Sequence, residues 1–233
     1  EESKAKDAIA SAQREGLSAF GDGRVFLEKY LDHAKHIEVQ IFVDASGKVF
    51  HLGERECSVQ RRHQKVVEEA PSELLSTELR EKILKSAVAI AKAGQYRGAG
   101  TVEFLVQDGE FYFLEMNTRL QVEHPVTELT MGIDLVKAQI LTAQDMIVNW
   151  EQEALKPRGH AIECRLYAED AYANGVPSIG KIEAIQWPYG PGRRFDYGVE
   201  PGDEVTPFYD SMIAKVIVWD ETRVRAIEKM KET

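Results

Sequence analysis

Apolar and polar residues follow two different periods along this chain, and together they predict a mixture of helices and strands. Amphipathic spacing or a high content of helix-forming residues predicts helices at residues 3–17, 76–95 and 133–143, with another beginning near residue 221. Alternation with period two predicts strands, and at residues 36–44 it places Ile37, Val39, Ile41 and Val43 on one face. Further strands are predicted at residues 24–30, 48–54, 160–168, 180–187 and 212–219, and a hairpin at residues 101–117.

Glycine, proline and unpatterned polar stretches predict the connections between these elements. Residues 21–23 and 45–47 are predicted turns, while Ser76 and Gly94 lie near the two ends of a predicted helix. Residues 57–71 are polar and charged without a clear period, which indicates a structured loop over a site. Residues 151–157 mark a predicted domain boundary. Antiparallel hairpins interleaved with helices predict an α+β fold.

Composition excludes several classes of protein. The 233 residues carry a net charge of −10, which argues against a general affinity for nucleic acid. No apolar run approaches the roughly 20 residues that a membrane span needs, and no segment resembles a signal peptide. Cys57 and Cys164 form neither a zinc nor a disulfide spacing, so both are predicted to be free thiols in a reducing compartment, the cytoplasm.

Acidic and amide side chains interrupt the predicted hairpin at Glu103, Glu115 and Asn117. Such groups are costly to bury unless a positive charge lies on them, and hard oxygen ligands of this kind suit Mg²⁺ together with substrate phosphates. The alternative is an ordinary hairpin with a solvated polar face. We expect the metal site because a charged loop follows directly.

The geometry of the hairpin turn separates these two possibilities. A two-residue turn at residues 108–109 would place Glu103 and Glu115 on opposite faces. A three-residue loop with Gly109 in the left-handed conformation would pair Val106 with Glu110 and bring both carboxylates to one face. The metal hypothesis therefore predicts the bulged loop.

The loop at residues 118–125 supplies groups for an anionic substrate. Arg119 can clamp an oxyanion, and Glu123 is a candidate general base. Gln121 and the backbone N–H of Val122 are further groups that can orient an anion. The alternative is a helix-capping or interdomain salt-bridge cluster.

Residues 60–65 concentrate hydrogen-bond donors of the kind that polyphosphate and ribose require. The alternative is a solvated turn balanced by Glu68 and Glu69, and His36 and His63 are weak signals individually. The chain has neither a Walker A motif nor Gly-x-Gly-x-x-Gly, so a bound nucleotide would not use a P-loop.

Long blocks of the chain resemble biotin carboxylase, an ATP-grasp ligase. The resemblance is carried by residues 26–31, 36–40, 54–71, 96–104, 113–128, 158–166 and 207–212. It implies an ATP-grasp C-terminal subdomain, an antiparallel sheet with flanking helices, followed by part of the biotin carboxylase C-terminal domain. The implied ranges are 1–30 for the tail of the lid subdomain and the adenine hinge, 31–150 for the catalytic subdomain, and 151–233 for the incomplete C-terminal domain.

The resemblance also implies a reaction and a role for particular residues. In that family ATP phosphorylates bicarbonate to carboxyphosphate, which releases CO₂ for capture by the N1 atom of biotin on a carrier protein. Matching positions imply catalytic roles for Arg119 and Glu123, and a biotin-binding role for Arg165. The implied ATP-binding set is Glu28, Lys29, Tyr30, Leu31, His36, Gln60 and His63; the bicarbonate set is Lys65, Arg119, Gln121 and Val122; and the Mg²⁺ or Mn²⁺ set is Glu103, Glu115 and Asn117.

Partners and alternatives follow from the same resemblance. It implies a homodimer that works with a biotin carboxyl carrier protein or domain and a carboxyltransferase, as in an acetyl-CoA carboxylase of fatty acid biosynthesis or a related enzyme. It also implies an N-terminal domain and a glycine-rich lid before Glu1, so the chain is expected to be a fragment. Two alternatives stay open: another ATP-grasp ligase, such as one that forms carbamoyl phosphate, and an inactive dimerisation or docking fragment.

Overall fold

The chain separates into two units between His33 and Ala34, in a computed structural model that describes residues 2–233. Side chains are described from Lys4 onward. In the first unit, helix α1 spans Glu2–Phe20, as its composition predicts. The helix ends because Gly21 adopts a left-handed φ of 71° and donates its N–H to the carbonyl of Leu17 at 3.1 Å.

The predicted strand at residues 24–30 is wrong, because this stretch forms neither a helix nor a strand. Its large apolar side chains are mainly exposed, with Phe26 at 81% and Leu27 at 87% of full exposure. A strand is stabilised by hydrogen bonds to a neighbouring strand, and no strand among the described residues runs beside this segment. An apolar pattern over seven residues is therefore insufficient to predict a strand in this segment.

An eight-stranded sheet in which every neighbouring pair is antiparallel forms the centre of the second unit. The strands of the unit, in chain order, are β1 Lys35–Val43, β2 Val49–Arg61, β3 Gln64–Ala70, β4 Gly98–Gln107, β5 Glu110–Asn117, β6 His160–Tyr167, β7 Glu169–Asp170, β8 Val176–Pro177, β9 Gly180–Lys181, β10 Arg193–Tyr197, β11 Glu204–Val205 and β12 Met212–Asp220. The order across the large sheet is β10-β12-β6-β3-β2-β1-β4-β5, while β7 with β8 and β9 with β11 form short separate ribbons. The helices are α2 Thr77–Ala93, α3 His124–Met131, α4 Leu135–Ala143 and α5 Arg223–Glu232, with a 3₁₀ turn at Gln152–Ala154.

Helices cover both faces of this sheet, which confirms the predicted α+β fold with an antiparallel sheet and flanking helices. The face of β1 that carries Ile37, Val39, Ile41 and Val43 is buried against α2, as its alternation predicts. On the opposite face α4 packs near Phe42, and α3 packs over β3, β6 and β12. Because both faces are covered, the polar residues that alternate with the apolar ones along β1 are also buried.

Two helices begin at side-chain N-caps, Ser76 and Asp134, which are residue types that favour this position. Ser76 is the N-cap of α2, and its hydroxyl accepts the N–H of Leu79 at 3.2 Å. The carboxylate of Asp134 accepts the N–H of Lys137 at 2.8 Å, so α4 begins at Leu135 rather than at residue 133. The predicted helix positions are confirmed, with small shifts at their ends.

The interpretation of residues 57–71 as a loop is wrong, because this segment lies mainly in the β2–β3 hairpin. Arg62 and His63 form its turn, and both have positive φ angles, of 52° and 63°. Both strands of the hairpin are held by backbone hydrogen bonds to neighbouring strands on each side. Because many of their side chains are charged, the sequence shows no regular hydrophobic alternation from which the hairpin could be identified.

Other differences concern the last third of the chain. The strand predicted at residues 180–187 is wrong beyond Gly180–Lys181, and the strand at Arg193–Tyr197 has no counterpart in the prediction. The predicted strands at 160–168 and 212–219 are confirmed as β6 and β12. The sequence analysis also missed α3, although Pro125 lies in its first turn and Gly132, with a φ of 68°, ends it.

The large sheet runs from strands before residue 150 to strands after it, through the β3–β6 pair. The domain ranges given above stay a prediction. Among the described residues, no helix is both long enough and apolar enough to cross a membrane.

Candidate active site

A cleft of about 590 Å³ opens on the second unit, and the predicted site residues of that unit converge on it. The lining includes His36, Gln60, His63, Lys65, Glu103, Glu115, Asn117, Arg119, Gln121, Val122, Glu123 and Arg165. The remaining predicted residues, Glu28, Lys29, Tyr30 and Leu31, belong to the first unit, and their contact with adenine stays a prediction. Residues separated by more than 100 positions thus share one cleft.

The β4–β5 hairpin presents both predicted carboxylates on the cleft face, but not through the expected turn. Gln107 pairs with Glu110, so the turn has two residues, and the three-residue loop predicted from the metal hypothesis is wrong. A bulge further along the hairpin, where Leu114 is the extra residue, shifts the register and places Glu103 opposite Glu115. The amide of Asn117 donates hydrogen bonds to both carboxylates, at 3.0 and 3.1 Å.

Lys65 lies at the centre of the cleft's charges. Its Nζ atom donates to Glu38 Oε2 at 2.5 Å, to Glu103 Oε1 at 2.9 Å and to Glu123 Oε1 at 2.7 Å. Burial opposes the charge on the ammonium, but the carboxylates of Glu38, Glu123 and Glu103 outweigh burial and raise the pKa of Lys65. Lys65 therefore stays cationic, and it links the candidate metal ligand Glu103 to the candidate base Glu123.

Glu103 is held in its ionised form by its neighbours. It accepts hydrogen bonds from Gln121 Nε2 at 2.7 Å and lies 2.9 Å from His36 Nε2, in addition to its contacts with Lys65 and Asn117. Burial disfavours the carboxylate, but the close contact with His36 and the charge of Lys65 lower the pKa of Glu103 to about 2. The cleft thus offers an anionic oxygen at this position at neutral pH.

Beneath the cleft, the completely buried guanidinium of Arg55 joins the strands to the 118–125 loop. Its five N–H groups donate to Glu38 (2.5 Å), Gln40 (2.6 Å), Thr127 (3.1 Å), Thr101 (3.2 Å) and Gln121 (3.0 Å). Gln121 is therefore oriented from below, between Arg55 and Glu103.

The sequence analysis missed Arg55 and Glu38. The available signal was Glu38 and Gln40 within the apolar alternation of β1, because polar residues in a doubly covered strand need buried partners.

The two arginines of the cleft have different surroundings. Arg119 is exposed, and the only acceptor for it among the described side chains and backbone is the adjacent carbonyl of Leu120, at 3.3 Å. Arg165 instead lies between two carboxylates: its Nε donates to Glu68 Oε1 at 2.7 Å and a terminal nitrogen donates to Glu123 Oε2 at 3.1 Å. Arg119 thus has an uncompensated charge for an anion, whereas Arg165 is fixed in place.

The backbone of the 118–125 loop is also anchored. Lys215 on β12 donates to the carbonyl of Val122 at 2.8 Å, so the strand beyond β6 contributes to the position of the loop. Asp210 and Tyr167 complete that side of the cleft. Chemically, the cleft combines hard oxygen donors suited to a divalent cation with separate cations suited to an anion and a carboxylate that can accept a proton.

Comparison with known families matches almost the whole chain. Residues 1–149 match the family described as carbamoyl-phosphate synthase L chain, ATP binding domain, and residues 163–233 match the biotin carboxylase C-terminal domain. The chain is 52% identical over 231 residues to a pyruvate carboxylase subunit from Methanothermobacter thermautotrophicus, covering 99% of this chain and 47% of the relative. It is 54% identical to the biotin carboxylase of Halalkalibacterium halodurans, covering 97% of this chain and 50% of the relative.

Solved structures agree with these matches. The biotin carboxylase of Campylobacter jejuni in complex with β,γ-ATP superposes with a TM-score of 0.95 at 46% identity, covering 100% of this chain and 52% of that one. The biotin carboxylase domain dimer of Hydrogenobacter thermophilus 2-oxoglutarate carboxylase, in complex with MgADP, ADP and bicarbonate, superposes with a TM-score of 0.92 at 47% identity, covering 97% and 50%. The chain spans about half the length of these relatives. Both family matches and the fold show that the chain belongs to the biotin carboxylase family of ATP-grasp ligases.

Proposed function

We propose that the full-length protein containing this chain carboxylates biotin on a carrier protein or domain, with ATP and bicarbonate as substrates. An oxygen of bicarbonate bonds to the γ-phosphorus of ATP while the bond to ADP breaks, which forms carboxyphosphate. Carboxyphosphate then splits into CO₂ and phosphate, the released phosphate takes the proton of biotin N1, and deprotonated N1 bonds to CO₂. The main support for this proposal is that one cleft is lined by carboxylates and cations together, in a chain 54% identical to a biotin carboxylase. These residues are Glu103, Glu115, Lys65, Arg119 and Arg165.

Glu103, Glu115 and Asn117 are the proposed ligands of Mg²⁺ or Mn²⁺. The donor chemistry fits, because two carboxylates lie opposite each other on the cleft face and an amide lies between them. When bound, a divalent cation would neutralise charge on the phosphates of ATP during transfer. The presence of MgADP in the Hydrogenobacter thermophilus structure supports this proposal.

Lys65, Arg119, Gln121 and the backbone of Val122 are the proposed bicarbonate site. Arg119 supports this assignment because it has no carboxylate partner among the described residues, and Gln121 because Arg55 and Glu103 hold its side chain. Glu123 is the proposed base that removes the proton of bicarbonate. Its contacts with Lys65 at 2.7 Å and with Arg165 at 3.1 Å hold the carboxylate at the cleft, beside the proposed bicarbonate site.

Nucleotide and biotin positions complete the proposal. His36, Gln60 and His63 line the cleft and would contact the ribose and phosphates, while Glu28, Lys29, Tyr30 and Leu31 would meet adenine. Arg165 would stabilise the enolate of biotin, because it presents a guanidinium at the cleft beside Glu123.

The partners and the final acceptor are also proposals. A homodimer is supported by the dimer of the Hydrogenobacter thermophilus domain, and a carrier with a carboxyltransferase is supported by relatives that are pyruvate or propionyl-CoA carboxylase chains. Acetyl-CoA as the final acceptor, a place in fatty acid biosynthesis and a cytoplasmic location stay predictions. Supplying a purified carboxyltransferase with acetyl-CoA, propionyl-CoA or pyruvate in turn would distinguish the acceptors.

The decisive experiment measures ATP hydrolysis by the full-length protein with bicarbonate, in the presence and absence of free biotin. We expect hydrolysis that depends on both compounds, together with transfer of labelled carbon from bicarbonate to biotin. Turnover that requires ammonia or glutamine and ignores biotin would instead support a carbamoyl-phosphate-forming ligase. No turnover, with no heat of MgATP binding in calorimetry, would support a docking module without catalysis.

A further inference from the structure

Two buried glutamates, neither of which the proposed function uses, lie next to each other behind Arg165. Glu68 on β3 and Glu163 on β6 are direct cross-strand partners, and both side chains are completely buried. Directly opposite residues of an antiparallel pair project to the same face, with Cβ atoms about 5 Å apart. Arg165 lies two residues beyond Glu163 on β6 and therefore shares this face.

Hydrogen bonding distinguishes the two carboxyl groups. Glu68 Oε1 accepts the Nε–H of Arg165 at 2.7 Å. Glu68 Oε2 and both carboxyl oxygens of Glu163 have no hydrogen-bond partner among the described residues. An ionised carboxylate with no partner is too costly at a buried position, whereas a neutral carboxylic acid is tolerated. Glu163 is therefore the group that carries a proton.

The α3 helix explains why solvent does not reach the pair. Val126 on α3 packs in one buried cluster with Ala70 of β3, Ala161 of β6 and Ile217 of β12. Ile217 is also the cross-strand partner of Glu163 on its other side. Apolar residues thus cover the same face of the sheet on which the two glutamates lie.

The charges around the pair favour one negative charge rather than two. The cation of Arg165 faces Glu68, whereas the carboxylates of Glu123 and Glu38 oppose its ionisation. Lys215 and Arg165 favour ionisation of Glu163, whereas Glu68 and Glu123 oppose it.

Burial is the largest effect on both groups and exceeds the attraction of these cations. Burial raises the pKa of Glu68 to about 7 and raises the pKa of Glu163 well above its usual value. Two neighbouring carboxyls in such surroundings share a proton instead of both ionising.

We propose that Glu68 and Glu163 form a buried carboxyl pair that shares one proton and positions Arg165 at the cleft. With Glu68 ionised, Arg165 is held between two anions, Glu68 and Glu123. When the pair takes up a second proton, Glu123 is left as the one hydrogen-bonded anion of Arg165 among the described residues. The guanidinium then loses its second anchor at the cleft. The proposal deepens the proposed function, on which it rests, because Arg165 is the group assigned to biotin.

Kinetics of the full-length protein with free biotin test the positioning role. We expect Glu68→Gln to raise the KM for biotin about tenfold, because the amide oxygen can still accept from Arg165 but the negative charge that strengthens the hydrogen bond is lost, while the KM for ATP stays unchanged. In the wild type, activity with biotin should fall on the acidic side of a pH near 7, and this fall should be absent from Glu68→Gln. Glu163→Gln should stay within about twofold of the wild type, because glutamine copies the shape of a neutral glutamic acid.

Glu69→Gln is the matched control. Glu69 is the next residue of β3, projects to the other face, and also contacts nitrogen groups, those of His160 and Arg223. It should leave the biotin KM unchanged. If Glu68→Gln does not fold, Glu68→Asp serves in its place, since it keeps the charge but shortens the reach to Arg165 and should raise the biotin KM in the same direction.

A spectroscopic arm does not depend on turnover. In protein labelled with ¹³C at glutamate carboxyls, the infrared spectrum recorded well above pH 7, where Glu68 is ionised, should show a protonated carboxyl band that Glu163→Gln removes and Glu69→Gln retains. Absence of that band, or a loss of activity in Glu163→Gln as large as in Glu68→Gln, would overturn the shared proton. An unchanged biotin KM and acidic limb in Glu68→Gln would overturn the positioning role. Absence of biotin-dependent turnover in the wild type would refute the proposed function alone, since the infrared result still decides the pair.

Discussion

Replacing Arg55 with methionine tests whether the buried hydrogen-bond network stabilises the second unit. The substitution keeps an unbranched apolar side chain but removes five donors, each of which has an acceptor within 3.2 Å. Glu38 would keep its contact with Lys65 at 2.5 Å, whereas the side-chain oxygens of Gln40 and Gln121 would lose their recorded donor. The expected loss of stability is therefore that of breaking a buried ion pair, which is larger than that of breaking an exposed one.

Removing one partner of a buried pair commonly costs about 3–5 kcal/mol, and one net hydrogen bond contributes about 1 kcal/mol. Five lost hydrogen bonds agree with that range, so we expect Arg55→Met to lower the free energy of unfolding by about 4 kcal/mol. Arg55→Lys keeps the charge but has three donors in place of five, so about 2 kcal/mol is expected from the two lost hydrogen bonds. A protein of ordinary stability, about 5–15 kcal/mol, should still fold in both cases.

Urea-induced unfolding of the full-length protein, followed by circular dichroism, measures these differences. Lys82→Met is the control, since Lys82 forms a solvent-exposed pair with Glu78 on α2 and should leave the unfolding midpoint unchanged. Arg55→Met with the stability of the wild type would refute the stabilising role of the network. A double-mutant cycle with Glu38→Gln should give a coupling energy of about 1–3 kcal/mol, and additive effects would contradict the direct contact between the two side chains.

Three further predictions concern the site and its surroundings. Arg119→Ala should lower biotin carboxylation by orders of magnitude with unchanged ATP affinity in calorimetry, since its charge acts on bicarbonate and on the transition state; an equal loss of ATP affinity would contradict this assignment. Glu115→Gln should raise the Mg²⁺ concentration needed for half-maximal activity, and an unchanged metal titration would refute its role as a ligand. Burial opposes ionisation of Glu69, but His160 and Arg223 outweigh it and lower the pKa of Glu69 from 4.5 to about 2. Its contribution to stability is therefore present above pH 4.5 and lost as the pH falls towards 2, so Glu69→Gln should flatten the dependence of Tm on pH in that window, whereas an unchanged slope would refute the linkage.

The approximate ends of α1, α2 and α4 were predictable because the determinants are local, although α3 was missed. Ser76 and Asp134 bond to backbone groups three residues further along, and Gly21 ends α1 with its own backbone conformation. The buried face of β1 was equally predictable from its alternation. Two of the wrong predictions, for residues 24–30 and 57–71, concern strands, which depend on partner strands distant in sequence. The first stretch pairs with no strand among the described residues, whereas the second has partner strands on both sides.

For the candidate site, the sequence by itself determined which chemical groups are available: carboxylates and an amide on one hairpin, several cations, and no P-loop. Only the tertiary structure decided how they meet. A bulge at Leu114, rather than the turn, brings Glu103 and Glu115 to one face, because register depends on pairing along the whole hairpin. Likewise, the burial of Arg55, Glu68 and Glu163 follows from helices that cover the sheet, since desolvation and charge pairing arise only when distant segments pack together.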